Sequence, residues 1–96
     1  MKAISLSYNS LNISWEKPTL RENEMLKAFN ICYKEYSKEQ SNCRESQAGI
    51  RSSKIHLLTS ATMYEISVRL QTTIGESLSE KIIKITNDSK YERDRV

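Results

Sequence analysis

Apolar and polar positions alternate along most of this chain. The first alternation is Ile4, Leu6 and Tyr8, broken by the turn-prone pair Asn9-Ser10. The second is Leu11, Ile13 and Trp15 in "SLNISWEKP", closed by Pro18, the only proline. A period of two marks a half-buried strand, because successive side chains point to opposite faces. Residues 19–25, "TLRENEM", are polar and loop-like. The next stretch, "LKAFNICYKEY", reads two ways: Phe29, Ile31 and Tyr33 alternate as a strand, whereas Leu26, Phe29, Tyr33 and Tyr36 step by three and four as a helix face. Periodicity alone leaves both open. "SKEQSN" is turn chemistry, "CRES" reads as a short return strand, and "QAG" makes another break. "KIHLL" follows, then the most regular segment, "SATMYEISVRL", with Tyr64, Ile66, Val68 and Leu70 at every second position. A turn at "TIGES" leads into "KIIKIT", where Ile83 and Ile85 alternate.

That makes six or seven short strands at intervals of about ten residues, the spacing of an antiparallel sandwich. Composition sharpens the picture. Ninety-six residues make one domain, and a chain this short buries only about 60 to 65% of its unfolded surface, in one small core. The apolar fraction is 38% and the mean hydropathy −0.62, so every apolar strand position is needed. Two glycines are few for such a fold, which puts the turns on Asn, Ser and Asp. No apolar run approaches the length of a membrane span, and the amino terminus lacks the charged-then-apolar pattern of a secretory signal. The expectation is a segment that neither inserts in a membrane nor carries its own address.

At this level of detail the residues resemble a family. "SLNISWEKP" is similar to the second strand of a fibronectin type III domain, where a core tryptophan is followed three residues later by proline. "AFNICYKEY" resembles that family's third strand, with aromatic, aliphatic and aromatic residues at Phe29, Ile31 and Tyr33. "LTSATMYEISVRLQTTIGESLSE" matches the family's Leu, turn, Thr and Tyr, then an alternating strand and a Gly- and Ser-containing loop. The resemblance covers residues 4–86, and we take 1–86 as the domain and 87–96 as linker or tail. It implies an all-β, immunoglobulin-like sandwich of seven antiparallel strands in fibronectin type III topology, with "LKAFNICYKEY" a strand at the centre of its sheet. Tyr64 then forms a tyrosine corner, its ring in the core beside Trp15 and Leu58 and its hydroxyl bonded to backbone near Leu58. Ser60 departs from the pattern, standing where the family usually has proline.

Candidate chemistry is sparse. His56, the one histidine, lies on the expected strand beside the corner with no Ser or Cys placed by motif as its nucleophile. There is no phosphate loop, and two cysteines with one histidine cannot complete a tetrahedral zinc site without another chain. We expect no catalysis, no cofactor and no metal. The net charge of +3 comes from 15 Lys and Arg scattered among 12 Asp and Glu, without a run of like charges, which argues against nucleic acid as a partner.

The cysteines say more. Cys32 lies between Ile31 and Tyr33, so alternation points it away from the core, and a hairpin centred between residues 37 and 38 sets Cys43 opposite it. A disulfide there closes a loop of about 12 residues and stabilises by roughly 3 kcal/mol in the chain-entropy model. The competing reading is two free surface thiols in a cytosolic module; the paired geometry suggests an oxidising compartment. Two N-glycosylation sequons agree with this, Asn12-Ile13-Ser14 and Asn87-Asp88-Ser89.

The resemblance implies a module repeated like beads in receptor and adhesion ectodomains, and also in cytosolic muscle proteins. The Trp-Ser-x-Trp-Ser segment of hormone-binding modules and the integrin tripeptide Arg-Gly-Asp are both absent. The expected function is that of a non-catalytic extracellular module of a plasma-membrane receptor or adhesion protein, a monomer in isolation, which binds protein or spaces neighbouring repeats; the alternative is an intracellular spacer of a sarcomeric or scaffold protein. If the third and sixth strands face inward at Ile31 and Ile66, then Lys34, Arg69 and Lys84 point outward from one sheet beside Tyr36. This basic stripe is the candidate surface for an acidic protein or a sulfated glycan.

Overall fold

The structure is a computed structural model that describes residues 1–88. Its strands are β1 (Lys2–Ser7), β2 (Ser10–Ser14), β3 (Leu26–Glu35), β4 (Asn42–Gln47), β5 (Ser52–Ile55), β6 (Met63–Thr72) and β7 (Glu76–Ile85). They form two antiparallel sheets, one ordered β1-β2-β5 and the other β4-β3-β6-β7. The segment that periodicity left open is strand β3, which pairs with β4 on one side and β6 on the other. A helix there would leave β4 without a ladder partner and β6 with β7 alone.

The core is the seam between the inner faces. Leu11, Ile13 and Trp15 come from or just follow β2, and Ile55 from β5; Phe29 and Ile31 come from β3, and Tyr64, Ile66, Val68 and Leu70 from β6. Each such side chain stabilises by about 1.5 to 3 kcal/mol through burial. The Trp15 and Phe29 rings meet at 5.3 Å between centroids with a 60° tilt, and the Arg51 guanidinium covers Phe29 at 5.1 Å. Gly75 turns β6 into β7 with φ 147°, a region that side chains rarely allow.

Both outermost apolar alternations run opposite to expectation. In β1 the register sets Ala3 against Ile13 and Ser5 against Leu11, so the small residues face inward. Ile4 and Leu6 face outward and are 56% and 49% exposed. Beside the large side chains of β2, the edge strand needs only small groups to close the seam. In β7, Ile82 pairs with Ile66 and Lys84 with Tyr64, which puts Ile82 on the inner face and leaves Ile83 and Ile85 outside. A bulge between Val68 and Arg69 shifts the β6–β7 register. Strand β5 begins earlier than "KIHLL" suggests and ends at Ile55, so His56 is an exposed loop residue.

Candidate functional site

The connection from β5 to β6 is pinned from both sides. The Tyr64 ring is buried, and its hydroxyl accepts a hydrogen bond from the Thr59 amide at 2.8 Å, one residue beyond the expected Leu58. Leu58 is itself buried and donates its amide to the Asn9 carbonyl at 2.9 Å. The second pin is Thr86, 2% exposed, whose hydroxyl donates to the Thr59 carbonyl at 2.6 Å and accepts from the Thr62 amide at 2.9 Å. Nothing in the alternation marked Thr86, because a buried threonine looks like any polar residue at a strand end.

Cys32 and Cys43 lie directly opposite each other in the β3–β4 ladder and form a disulfide. The hairpin centre read from the sequence is the observed one. Both sulfurs sit on the outer face of the four-stranded sheet, where a shallow depression of about 330 Å³ includes Asn30, Cys32, Lys34, Cys43, Ser67 and Arg69 in its lining.

Charge on this face is balanced rather than basic. Lys34 stands opposite Glu65 and its ammonium lies 3.4 Å from that carboxylate, which Lys81 also contacts. The hydrogen bond from Lys81 holds the Glu65 carboxyl below its ordinary range, with that from Lys34 acting in the same direction. Arg69 lies 3.9 Å from Glu76. Lys84 does not join them: it pairs with Tyr64 across β6–β7 and so lies on the inner side of the sheet, because the residue phase that puts Ile82 inward carries Lys84 with it. Of the three expected cations, Lys34 and Arg69 remain on this face, each with a carboxylate beside it, and Lys81 joins them by sharing Glu65 with Lys34.

One end of the same face is apolar instead. Met63 pairs with Ile85, Glu65 pairs with Ile83, and the Tyr36 amide donates to the Met63 carbonyl at 2.9 Å, which continues the row onto the end of β3. Tyr36, Met63, Ile83 and Ile85 are 54%, 40%, 52% and 55% exposed. Four exposed apolar side chains on adjoining strands make a contiguous patch of the kind found at protein contacts. Only Tyr36 was singled out from the sequence. The other three were hidden by the inverted phase of β7.

Asn12 lies on the outer face of β2, and Ile13 beside it is fully buried. Asn87 is partly exposed just past β7, while the last residue of its sequon, Ser89, lies outside the described residues.

Comparison with known proteins gives a consistent answer. No curated protein matches the chain in sequence. Among solved structures, a myokine structure is similar with a TM-score of 0.73 at 23% identity, covering 90% of both chains. The chicken CNTN1 FN1–FN3 domains give 0.79 at 21% identity over 91% of this chain and 30% of that one. The fn3 domain of human collagen alpha-1(XX) chain gives 0.77 at 18% identity over 91% and 80%. These likenesses are of fold. The fibronectin type III domain family itself matches residues 1–86 of the 96, the same span that carries the two sheets, the tyrosine corner and the tryptophan core, and the chain belongs to that family.

Proposed function

We propose that this domain is a non-catalytic extracellular module of a cell-surface receptor or adhesion protein, comprising residues 1–86 with 87–96 as linker or tail. The observation that carries the reading is the Cys32–Cys43 disulfide on an open sheet face, where no core burial would shield it from cytosolic reductant. Asn12 and Asn87 are the proposed glycosylation sites in that setting. The module meets a protein partner or a neighbouring repeat through the outer face of the four-stranded sheet. Tyr36, Met63, Ile83 and Ile85 supply the apolar centre there, and Lys34, Arg69 and their carboxylate partners the polar rim. Free sulfated glycan is the weaker partner, because the outward cations Lys34, Arg69 and Lys81 already have a carboxylate beside them, Glu65 serving both lysines.

The test is topological. On intact cells that make the protein, a membrane-impermeant amine reagent should modify the exposed Lys54 without permeabilisation. Modification only after permeabilisation would favour the intracellular spacer.

A further inference from the structure

The outer face of the three-stranded sheet poses a separate problem. Ile4 and Leu6 stand on it, 56% and 49% exposed, on an edge strand whose inward positions are Ala3 and Ser5. Large apolar side chains were thus placed on the solvent side of the strand that could most easily have carried polar ones. Edge strands usually have charge or cover at such positions.

The register supplies the cover. Asn12, the acceptor of the Asn-Ile-Ser sequon, pairs with Ile4 on β1 and with Lys54 on β5. Directly opposed side chains stand about 4.5 to 5.5 Å apart at Cβ, so a group on the Asn12 amide nitrogen starts beside Ile4. The sequon hydroxyl, Ser14, lies on the same outer face between Lys2 and Ser52. No second layer covers this face among the described residues.

We propose that Asn12 carries an N-linked glycan whose first N-acetylglucosamine packs over Ile4 and Leu6, so that the sugar is a structural cover for the β1 face. This rests on the extracellular reading above. The chemistry fits both partners. A pyranose presents C–H groups and an acetyl methyl on one side, suited to isoleucine and leucine, and hydroxyls to water on the other. Attachment precedes completion of the fold, so the finished sheet has only to accommodate the sugar. Reaching across β1 from the neighbouring strand, the same glycan also hinders the approach of another chain to the open edge of β1.

The chain is to be secreted from cultured mammalian cells behind a heterologous signal and mapped by mass spectrometry for both the disulfide and Asn12. The expected result is a glycan on Asn12. Its removal, enzymatically or by Asn12→Gln, should raise binding of the apolar-surface dye ANS several-fold and promote aggregation, with the Trp15 fluorescence of the folded state retained. Adding Ile4→Ser and Leu6→Ser to Asn12→Gln should return dye binding to the glycosylated level. Secreted, disulfide-bonded protein with unmodified Asn12 would overturn the inference while leaving the extracellular reading intact. So would a glycan whose removal changes neither dye binding nor solubility, or a discrete dimer of the sugar-free chain, which would make the face a contact between copies. Free thiols in the secreted protein would sink the extracellular reading, and this inference with it.

Discussion

Replacing Tyr64 with phenylalanine isolates what the corner hydroxyl contributes. The ring volume is unchanged, so the buried packing survives, and what disappears is one acceptor at 2.8 Å from the Thr59 amide. Thr59 is exposed, so water can take over much of that role. The cost should therefore sit near the net value of a protein hydrogen bond, about 1 kcal/mol, rather than the larger penalty of a sealed orphan. Thr86→Val makes the matched comparison: it is near-isosteric, yet it removes both the 2.6 Å donation to the Thr59 carbonyl and the 2.9 Å acceptance from the Thr62 amide, at a residue only 2% exposed. Its cost should be larger, about 2 kcal/mol. Both side chains hold Thr59, so the double variant should depart from additivity by about 0.5 kcal/mol or more. Urea melts followed by Trp15 fluorescence read these values, because Trp15 is the only tryptophan and is buried. With m of about 1 to 3 kcal/mol per molar, Tyr64→Phe moves the midpoint by about 0.3 to 1 M. If Tyr64→Phe and Thr86→Val both melt with wild type, the two pins do not hold the corner as described.

Three further outcomes are expected. Trp15→Ala opens a cavity against Phe29 and should cost about 3 to 5 kcal/mol, measured by circular dichroism since the fluorophore is lost. The Glu65 carboxyl is held below its ordinary 4.5, so its contribution is present above that value and fades as pH falls through the depressed folded-state pKa; Glu65→Gln should make stability fall less steeply in that acid range, and an unchanged acid limb would count against the Lys81 and Lys34 contacts. Because Lys34 and Arg69 each have a carboxylate beside them and Lys84 lies on the other side of the sheet, the wild-type domain should leave a heparin column at low salt. Strong retention lost in the Lys34→Ser/Arg69→Ser/Lys84→Ser variant would restore the glycan-binding stripe.

How far the sequence could be read depended on where each strand sits. In β2 and β6 the large residues fall on one phase and the other phase is mostly polar or short, so alternation gave both the strand and its inward face, whereas β3 also fits a helical period and only the family resemblance made it a strand. The Cys32–Cys43 pairing was legible because the hairpin centre fixes the register. Alternation reports a period of two but not which phase is buried. In β1 the apolar phase is the outer one. In β7, Ile82 and Ile83 occupy both phases, and the neighbouring bulge decides between them. That single inversion moved Lys84 off the candidate face and brought Ile83 and Ile85 onto it. Thr86 escaped notice for a different reason: its role depends on two backbone groups more than twenty residues upstream, at Thr59 and Thr62.

Cysteine state in the native protein separates a disulfide-bonded module facing an oxidising compartment from an intracellular spacer. The protein should be taken from the cells that make it, with thiols alkylated at the moment of lysis, and then digested without reductant. A Cys32 peptide linked to the Cys43 peptide is expected, with no alkyl group on either residue and with the loop closure contributing roughly 3 kcal/mol that reductant abolishes in a urea melt. Two alkylated cysteines in freshly trapped material would contradict that expectation and make the domain an intracellular spacer.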